Sequence, residues 1–325
     1  MTSSSGRGLL HLAAAVDRRS AYDAGSFVEP ARLAESGGLD FVTLDDSFAR
    51  PGPDALCVLS RVATATRRIG LVPTVTTTHT DPFRVQAAVA TLDRVSGGRA
   101  GWRIDVSTTQ AEARLFGRRP VAPADALWRR AGEVAALAAT VWDSRDDEAA
   151  RPPQGHPLRV VDATDGPARA TAARYADVAL VRAANPARAA AVRDELRARA
   201  VEAGRDPDTV RVLVSLLVDL GDGERAAEPG HGGGGPRQTT QGPLYRGGPV
   251  DLAVLIAAWH ADGVTDGFHL VPVEPRRDLE RLVNGTVAVL QHRGLFRTFY
   301  PGGTLREHLG LARPVKQYAM TGGAS

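Results

Sequence analysis

The sequence has little cysteine: Cys57 is the one cysteine among 325 residues, which excludes a disulfide within the chain. Such scarcity is typical of proteins that stay in a reducing compartment, so we predict a cytoplasmic location. Cys57 lies in an apolar stretch with helical spacing, and no motif that would supply a catalytic partner for its thiol accompanies it. We therefore expect its thiol to be buried and unreactive rather than catalytic.

Long apolar segments are missing as well. No apolar run approaches the roughly 18 residues that a membrane-spanning helix needs. The run at residues 9–16 is short and Asp17 follows it at once, so we interpret it as a strand and not as a signal peptide. The charge is nearly balanced, with 40 basic and 37 acidic residues. Because the arginines alternate with acids along the helices, this pattern gives nucleic-acid binding no support.

Several catalytic motifs are absent too. The sequence contains no H-E-x-x-H, no cysteine pair and no G-x-S-x-G. It therefore lacks the signatures of zinc peptidases, dithiol oxidoreductases and α/β-hydrolases. We expect neither a metal site nor a nucleophile triad.

What the sequence does contain is a regular alternation of strand-like and helix-like segments. About eight short apolar runs alternate with helical patterns along residues 9–293. In a chain of this length, that count predicts an α/β protein with a parallel (β/α)8 TIM barrel, formed by a single domain over residues 1–325. A doubly wound sheet is the second choice, because no G-x-G-x-x-G follows the first strand.

The most informative stretch is residues 68–108. Residues 69–75 form a β-branched apolar run typical of a strand buried on both faces. A threonine-rich loop follows, Pro82 opens a helix, Gly97 ends it, and residues 102–106 begin the next strand. One βαβ unit therefore carries a polar loop at the carboxyl end of its first strand, where parallel α/β proteins bind ligands.

The same stretch resembles the bacterial luciferase-like flavin monooxygenases, in the branch that contains the nitrilotriacetate, dibenzothiophene-sulfone and pristinamycin monooxygenases. The family's IGL-x-x-T-x-STT-x-x-x-PF and TLD-x-x-SGGRAGWN blocks, and three blocks near its C-terminus, have counterparts here in the same order. They lie at residues 69–71, 74–83, 91–107, 266–268, 290–297 and 304–311. The resemblance implies a TIM barrel, a homodimer or larger homo-oligomer, and reduced FMN supplied by a separate NAD(P)H:flavin reductase.

The resemblance also assigns roles to several polar residues. The position of Asp46 implies a contact with FMN, and Thr76 and Thr77 match a loop whose hydroxyls reach the flavin ring. His79 stands where the family often has tyrosine, and it is a candidate catalytic hydrogen-bond donor. The alternatives are a helix cap or loop acid for Asp46, a polar loop end for the threonines and a surface histidine.

Two positions on the ring side depart from the family's pattern. Arg103 replaces an asparagine that contacts the flavin. As a candidate catalytic residue it could act on flavin, phosphate or substrate, or it could pair with Asp45 or Asp105. Ala124 and Trp128 replace a histidine and a tyrosine, so a cofactor contact by Trp128 competes with packing in the core.

A third departure affects the cofactor-binding residues that the resemblance places at the phosphate. Asp165 replaces the family's serine, and a carboxylate there would repel a phosphate. Thr164 and the backbone N–H groups near Gly166 could still bind it, and Arg182 or Arg169 could compensate for the acid. This position is the strongest argument in the sequence against tight FMN binding.

Three segments lie outside the regular pattern. Residues 221–248 are rich in glycine and almost free of apolar side chains, so we expect a mobile loop, with a flexible lid as the functional alternative. Residues 144–154 shorten the family's insertion before its PQG-x-P motif, which implies a more open substrate pocket. Residues 300–325 form a predicted C-terminal arm, and its segment Tyr300–Leu311 lies either at a dimer interface or packed under its own barrel.

These observations predict a flavin-dependent monooxygenase, an oxidoreductase that oxygenates a small organic molecule with O2. Two alternatives stay open. One is a deazaflavin-dependent oxidoreductase on the same barrel, with arginines that bind the longer acidic tail of that cofactor. The other is a homologue that has lost flavin and serves as a noncatalytic subunit or a small-molecule binder, as the three replaced positions would allow.

Overall fold

The fold is taken from a computed structural model of the chain. It describes residues 8–18, 22–46, 48, 52–117, 120–144, 151–221 and 235–314. Within this part of the chain, no helix is long and apolar enough to cross a membrane.

Parallel strands close into a barrel. In chain order the strands are β1 His11–Ala15, β2 Phe41–Leu44, β3 Gly70–Thr76, β4 Gly101–Asp105, β5 Leu158–Asp162, β6 Val178–Val181, β7 Arg211–Asp219, β8 Arg237–Thr239, β9 Gly242–Arg246 and β10 Gly267–Pro272. Strands β1 to β7 pair in sequence order, and β10 pairs with both β1 and β7. This pairing confirms the predicted (β/α)8 barrel.

Helices cover the outside of the barrel, except for the last one, which lies under its base. They are α1 Val28–Ser36, α2 Ala55–Ala63, α3 Pro82–Ser96, α4 Gln110–Leu115, α5 Ala124–Asp143, α6 Gly166–Tyr175, α7 Pro186–Glu202, α8 Pro249–Ala261, α9 Pro275–Arg281, α10 Ala288–His292 and α11 Leu305–His308. The ends of α3 show why these boundaries fall where the sequence predicts them. The Asp81 side chain accepts hydrogen bonds from the first free N–H groups, and Gly97 ends the helix at φ 69°.

Alternation along the strands separates two layers of core. On β4, Trp102 and Ile104 lie in the large cluster between the barrel and the helices, while Arg103 and Asp105 face the inside. A smaller cluster fills the lower interior with aliphatic side chains such as Val160. At the other end of the barrel, where the strands have their carboxyl ends, the interior is polar. The candidate site lies at this end.

The described part of the C-terminal arm, residues 300–314, packs under its own barrel, which is one of the two alternatives that the sequence left open; residues 315–325 lie outside the described residues. Leu305, Leu309 and Leu311 belong to the inner cluster. A Cβ atom built on Gly70 would lie 2.5 Å from a side-chain carbon of Leu305, so the two segments are in close contact. A role at a dimer interface stays a prediction.

The glycine-rich segment contains structure that the sequence did not predict. The hairpin of β8 and β9 lies within residues 221–248, and β9 adds to β7 beyond the end of β6. The reason is an anchor: Tyr245 is 1% exposed, and its hydroxyl donates to the carbonyl of Gly248. Residues 222–234 of the predicted loop and residues 145–150 of the shortened insertion lie outside the described residues.

The expectation of a buried cysteine is wrong. Cys57 is exposed on α2, because the inward stripe of this helix falls on Val58, Leu59 and Val62 instead. The hydrogen bond with the Asp54 carboxylate, and the charge of that group, raise the pKa of the Cys57 thiol. The thiol is therefore held in its protonated, poorly nucleophilic form.

Candidate active site at the barrel mouth

A cluster of charged side chains lies at the carboxyl ends of the barrel strands, which we call the mouth cluster. It consists of Asp45, Arg103, Asp105, Asp162 and Arg182. Asp45, Asp105, Asp162 and Arg182 stand at or next to the carboxyl end of a strand, and Arg103 lies in the middle of β4. All five occupy positions whose alternation points inward. Parallel α/β barrels place their active sites at this end.

Arg103 is the centre of the mouth cluster. Its guanidinium forms an ion pair with Asp45, and its side chain is 20% exposed. Burial lowers the pKa of Arg103, but the carboxylates of Asp45 and Asp105 outweigh it and raise that pKa, so the group stays charged. Burial also raises the pKa of Asp105, against the effect of Arg103. Pairing with an acid, one of the predicted alternatives, is what the structure has.

A neutral histidine supports this cluster from inside the barrel. His269 on β10 is 3% exposed, with its Nε2 atom 2.9 Å from Thr43 Oγ1 and its Nδ1 atom 3.0 Å from Ser215 Oγ. Burial and the charge of Arg103 together lower the pKa of His269 to about 3. The imidazole is therefore uncharged at neutral pH and links three strands through hydroxyl groups.

Sequence reasoning missed His269 and its two hydroxyl partners. A signal was present, because Thr43, Ser215 and His269 are polar residues at inward positions of strands that are otherwise apolar. Polar residues at such positions must find partners inside the barrel.

The threonine-rich loop presents one hydroxyl to the mouth. Thr77 turns its hydroxyl onto the carbonyl of Asp105 at 3.0 Å, and Thr78 Oγ1 accepts the N–H of Ser107. The Thr76 hydroxyl makes no hydrogen bond with any residue that the structure describes, although its carbonyl accepts a bond from Thr80. Thr76 can therefore donate to a bound ring, whereas the hydroxyl of Thr77 already donates to the chain.

The next part of this loop lines a cavity of about 430 Å³ beside the mouth cluster. This volume is within the range of small-molecule sites. The His79 ring stacks on Phe116, with centroids 4.2 Å apart and planes 17° apart, and Phe48 lies 6.1 Å away. The rest of the lining is mostly small or apolar and includes Ala113 and Leu127. His79 is therefore oriented on a cavity and is not a solvated surface histidine.

The predicted phosphate residues lie in the turn between β5 and α6. Asp165 is the N-cap of α6, yet its exposed carboxylate makes no capping hydrogen bond. Thr164 Oγ1 accepts the backbone N–H of Arg182, whose guanidinium pairs with Asp162 at 2.8 Å. Gly166 is the first helical residue. The predicted phosphate-binding residues lie together in one turn, but the acidic residue Asp165 immediately precedes the helix.

Three other predicted positions lie close to the mouth without facing its centre. The Asp46 carboxylate accepts the N–H of Ala55 at the start of α2, which is the capping alternative. Trp128 is 8% exposed in the core between α5 and α6, and its carbonyl accepts the Thr171 hydroxyl. Ala124 opens α5. Contacts of Asp46 and Trp128 with a flavin stay predictions.

Comparison with known proteins assigns the chain to a family. The model of the luciferase-like monooxygenase family matches residues 7–238. The chain belongs to this family. Nitrilotriacetate monooxygenase component A from Aminobacter aminovorans is 27% identical, over 90% of this chain and 91% of that protein. Dibenzothiophene-sulfone monooxygenase from Rhodococcus erythropolis is 25% identical, over 80% of each.

A solved structure supports the same fold for this luciferase-like protein. EDTA monooxygenase from Chelativorans sp. BNC1 superposes with a TM-score of 0.82 at 20% identity, over 94% of this chain and 99% of that one. The family resemblance read from the sequence, the TIM barrel and the prediction of an oxygenating enzyme are thereby confirmed. The substrate and the flavin partner of this chain belong to the proposal below.

Proposed function

We propose that this luciferase-like protein is a monooxygenase that inserts an oxygen atom from O2 into a small organic molecule, using reduced FMN that a separate NAD(P)H:flavin reductase supplies. The observation that carries the proposal is the pairing of a polar barrel mouth with a 430 Å³ side cavity that opens on the same threonine loop. Reduced flavin, when bound, supplies the electrons and activates O2. The protein needs to hold the ring, position the substrate and exclude water.

The ring end of the mouth fits a flavin. The Thr76 hydroxyl has no partner among the described residues and can donate to a ring carbonyl or nitrogen. The buried Thr74 hydroxyl, beside Arg103 in register, also has no partner there. Arg103 is held in place by Asp45 and offers further N–H groups of its planar guanidinium to a carbonyl. The phosphate end does not fit, because Asp165 stands at the helix start.

Residues of the side cavity define what the protein does to a substrate. His79 is fixed by stacking on Phe116 and can hold or donate a proton at a substrate oxygen. The mostly apolar lining offers a surface for the carbon skeleton of a small organic substrate. Arg103 and His79 are therefore the proposed catalytic residues. Asp46, Thr76, Thr77 and Trp128 are the proposed cofactor-binding set on the ring side. Thr164, Asp165 and Gly166 form the turn that the resemblance assigns to the phosphate, and this turn does not fit a phosphate here.

A titration separates this proposal from its alternatives. The purified protein is titrated anaerobically with reduced FMN and with reduced deazaflavin, and binding is followed by absorbance. Micromolar binding of reduced FMN supports the proposal, provided that a flavin reductase and NADH then give substrate-dependent O2 uptake. Binding of the deazaflavin alone indicates the deazaflavin oxidoreductase. A folded protein that binds neither is a noncatalytic homologue, and the proposal is then wrong.

A further inference from the structure

Helices that begin at the barrel mouth start with their own caps. In α2, α3 and α7 the side chains of Asp54, Asp81 and Asn185 accept N–H groups of the first turn. In α4, Thr109 and Glu112 form a capping box. An anion binds a helix N-terminus through these N–H groups, and the caps already occupy them.

The remaining helix starts at the mouth carry acids. The first turns of α1, α5, α8 and α9 contain Glu29, Asp125, Asp251 and Asp278. Asp278 also accepts the backbone N–H of Glu274, the residue before α9. Negative side chains at these positions interact favourably with the positive end of the helix dipole. Their charge repels any further anion that approaches.

The N-terminus of α6 differs from the other helix N-termini at the mouth, and the differences disfavour the binding of a phosphate. Asp165 is exposed, and its carboxylate is not used for capping. Pro167 in the first turn removes one of the N–H donors. The Ala168 N–H is bonded to the Asp165 carbonyl. A phosphate at this turn would meet a free carboxylate and few free donors.

The two arginines that the sequence suggested as compensation, Arg182 and Arg169, are bonded to other groups. Arg182 pairs with Asp162 at 2.8 Å. Arg169 is bonded through its Nη1 atom to Glu195, at 2.6 Å, and through its other nitrogens to backbone carbonyls. A phosphate would have to displace a carboxylate to reach either guanidinium, which removes the compensation that the sequence suggested.

We infer that this mouth binds flavin through the ring alone, and that reduced riboflavin binds at least as tightly as reduced FMN. The inference rests on the proposed function. Repulsion between a phosphate dianion and one carboxylate ~6 Å away in water corresponds to roughly a tenfold difference in Kd. The phosphate-free flavin avoids that repulsion and forgoes only the few N–H contacts that the turn could have made.

The test compares the two flavins directly. Dissociation constants of reduced riboflavin and reduced FMN are measured by anaerobic equilibrium dialysis, at low and at high salt. We expect riboflavin to bind as tightly as FMN or up to about tenfold more tightly. We also expect salt to strengthen the binding of FMN, because salt screens repulsion, and to leave riboflavin unchanged.

A variant locates the effect. Asp165→Ser should tighten FMN about tenfold and leave riboflavin unchanged. The matched control is Asp262→Ser, an exposed aspartate after α8 at the opposite end of the barrel, which should change neither constant. FMN binding tenfold tighter than riboflavin in the unchanged protein, or weakened FMN binding in Asp165→Ser, overturns the inference and leaves the proposed function intact. If the folded protein binds neither flavin, the proposed function itself is wrong.

Discussion

Removing the buried imidazole of His269 should change how stability depends on pH. Burial lowers the folded-state pKa of this group to about 3, from an ordinary value of 6.5. As the pH falls below 6.5, the unfolded chain takes up a proton that the folded protein refuses. The stabilisation is therefore complete above pH 6.5 and is lost progressively as the pH falls towards 3.

The size of the effect follows from the two pKa values. The full difference of about 3.5 pH units corresponds to about 5 kcal/mol, and about 2 kcal/mol of it is already lost at pH 5. In His269→Asn this contribution is absent, so the free energy of unfolding should fall about 2 kcal/mol less between pH 7.5 and 5 than in the unchanged protein.

Urea unfolding followed by circular dichroism at pH 7.5 and pH 5 measures this difference. His292→Asn, an exposed position on α10, is the control and should keep the pH dependence of the unchanged protein. Asp93 acts in the opposite sense, because burial raises its pKa to about 6 and its contribution is lost as the pH rises from 3.8 to 6. Both proteins retain Asp93, so it cancels. Equal pH dependences in His269→Asn and the unchanged protein would refute the reasoning.

Three further outcomes are expected. Gly70→Ala should destabilise the protein by about 1–3 kcal/mol in urea unfolding, because its Cβ would lie 2.5 Å from a carbon of the C-terminal arm. Arg306→Met should cost about 3–5 kcal/mol, since it leaves the Asp177 carboxylate, 3% exposed and 3.2 Å from Arg306, without one of its cations. Arg103→Gln should raise the pKa of His269, measured by NMR of the imidazole, because it removes a nearby positive charge.

Matched changes show whether these effects come from burial. Gly52→Ala adds a Cβ into open space and should leave stability within about 0.5 kcal/mol. Arg197→Met removes a pair with Asp208, whose side chain is 75% exposed, and should cost less than about 1 kcal/mol. A loss in Arg197→Met as large as that in Arg306→Met contradicts the argument from desolvation.

Much of the barrel was predictable because the residues that determine a strand, a helix start or a helix end lie at that point in the sequence. The strand, cap and glycine stop around α3 are written in consecutive residues, and the structure has them within one or two positions. The hairpin of β8 and β9 was not predictable in the same way. Its anchor is the single buried ring of Tyr245, which a count of apolar residues over the whole segment overlooks.

The candidate site was predictable in position and less so in detail. The sequence placed Thr76 and Asp165 after predicted strands and Arg103 within one, and the structure brings these strands together in one barrel. The choice of partner depends on three-dimensional distance, so the sequence left open whether Arg103 meets Asp45. His269 escaped notice because its partners come from two other strands, more than fifty residues away along the chain.

The packing of the C-terminal arm has a consequence for biosynthesis. Strand β1 begins at His11, yet the lowest layer of the barrel interior contains Leu305 and Leu309. A ribosome has made residues 1–304 before these side chains exist. Closure of the barrel base must therefore follow synthesis of residues 305–309, and until then the lower ends of the first strands remain exposed to chaperones and to self-association.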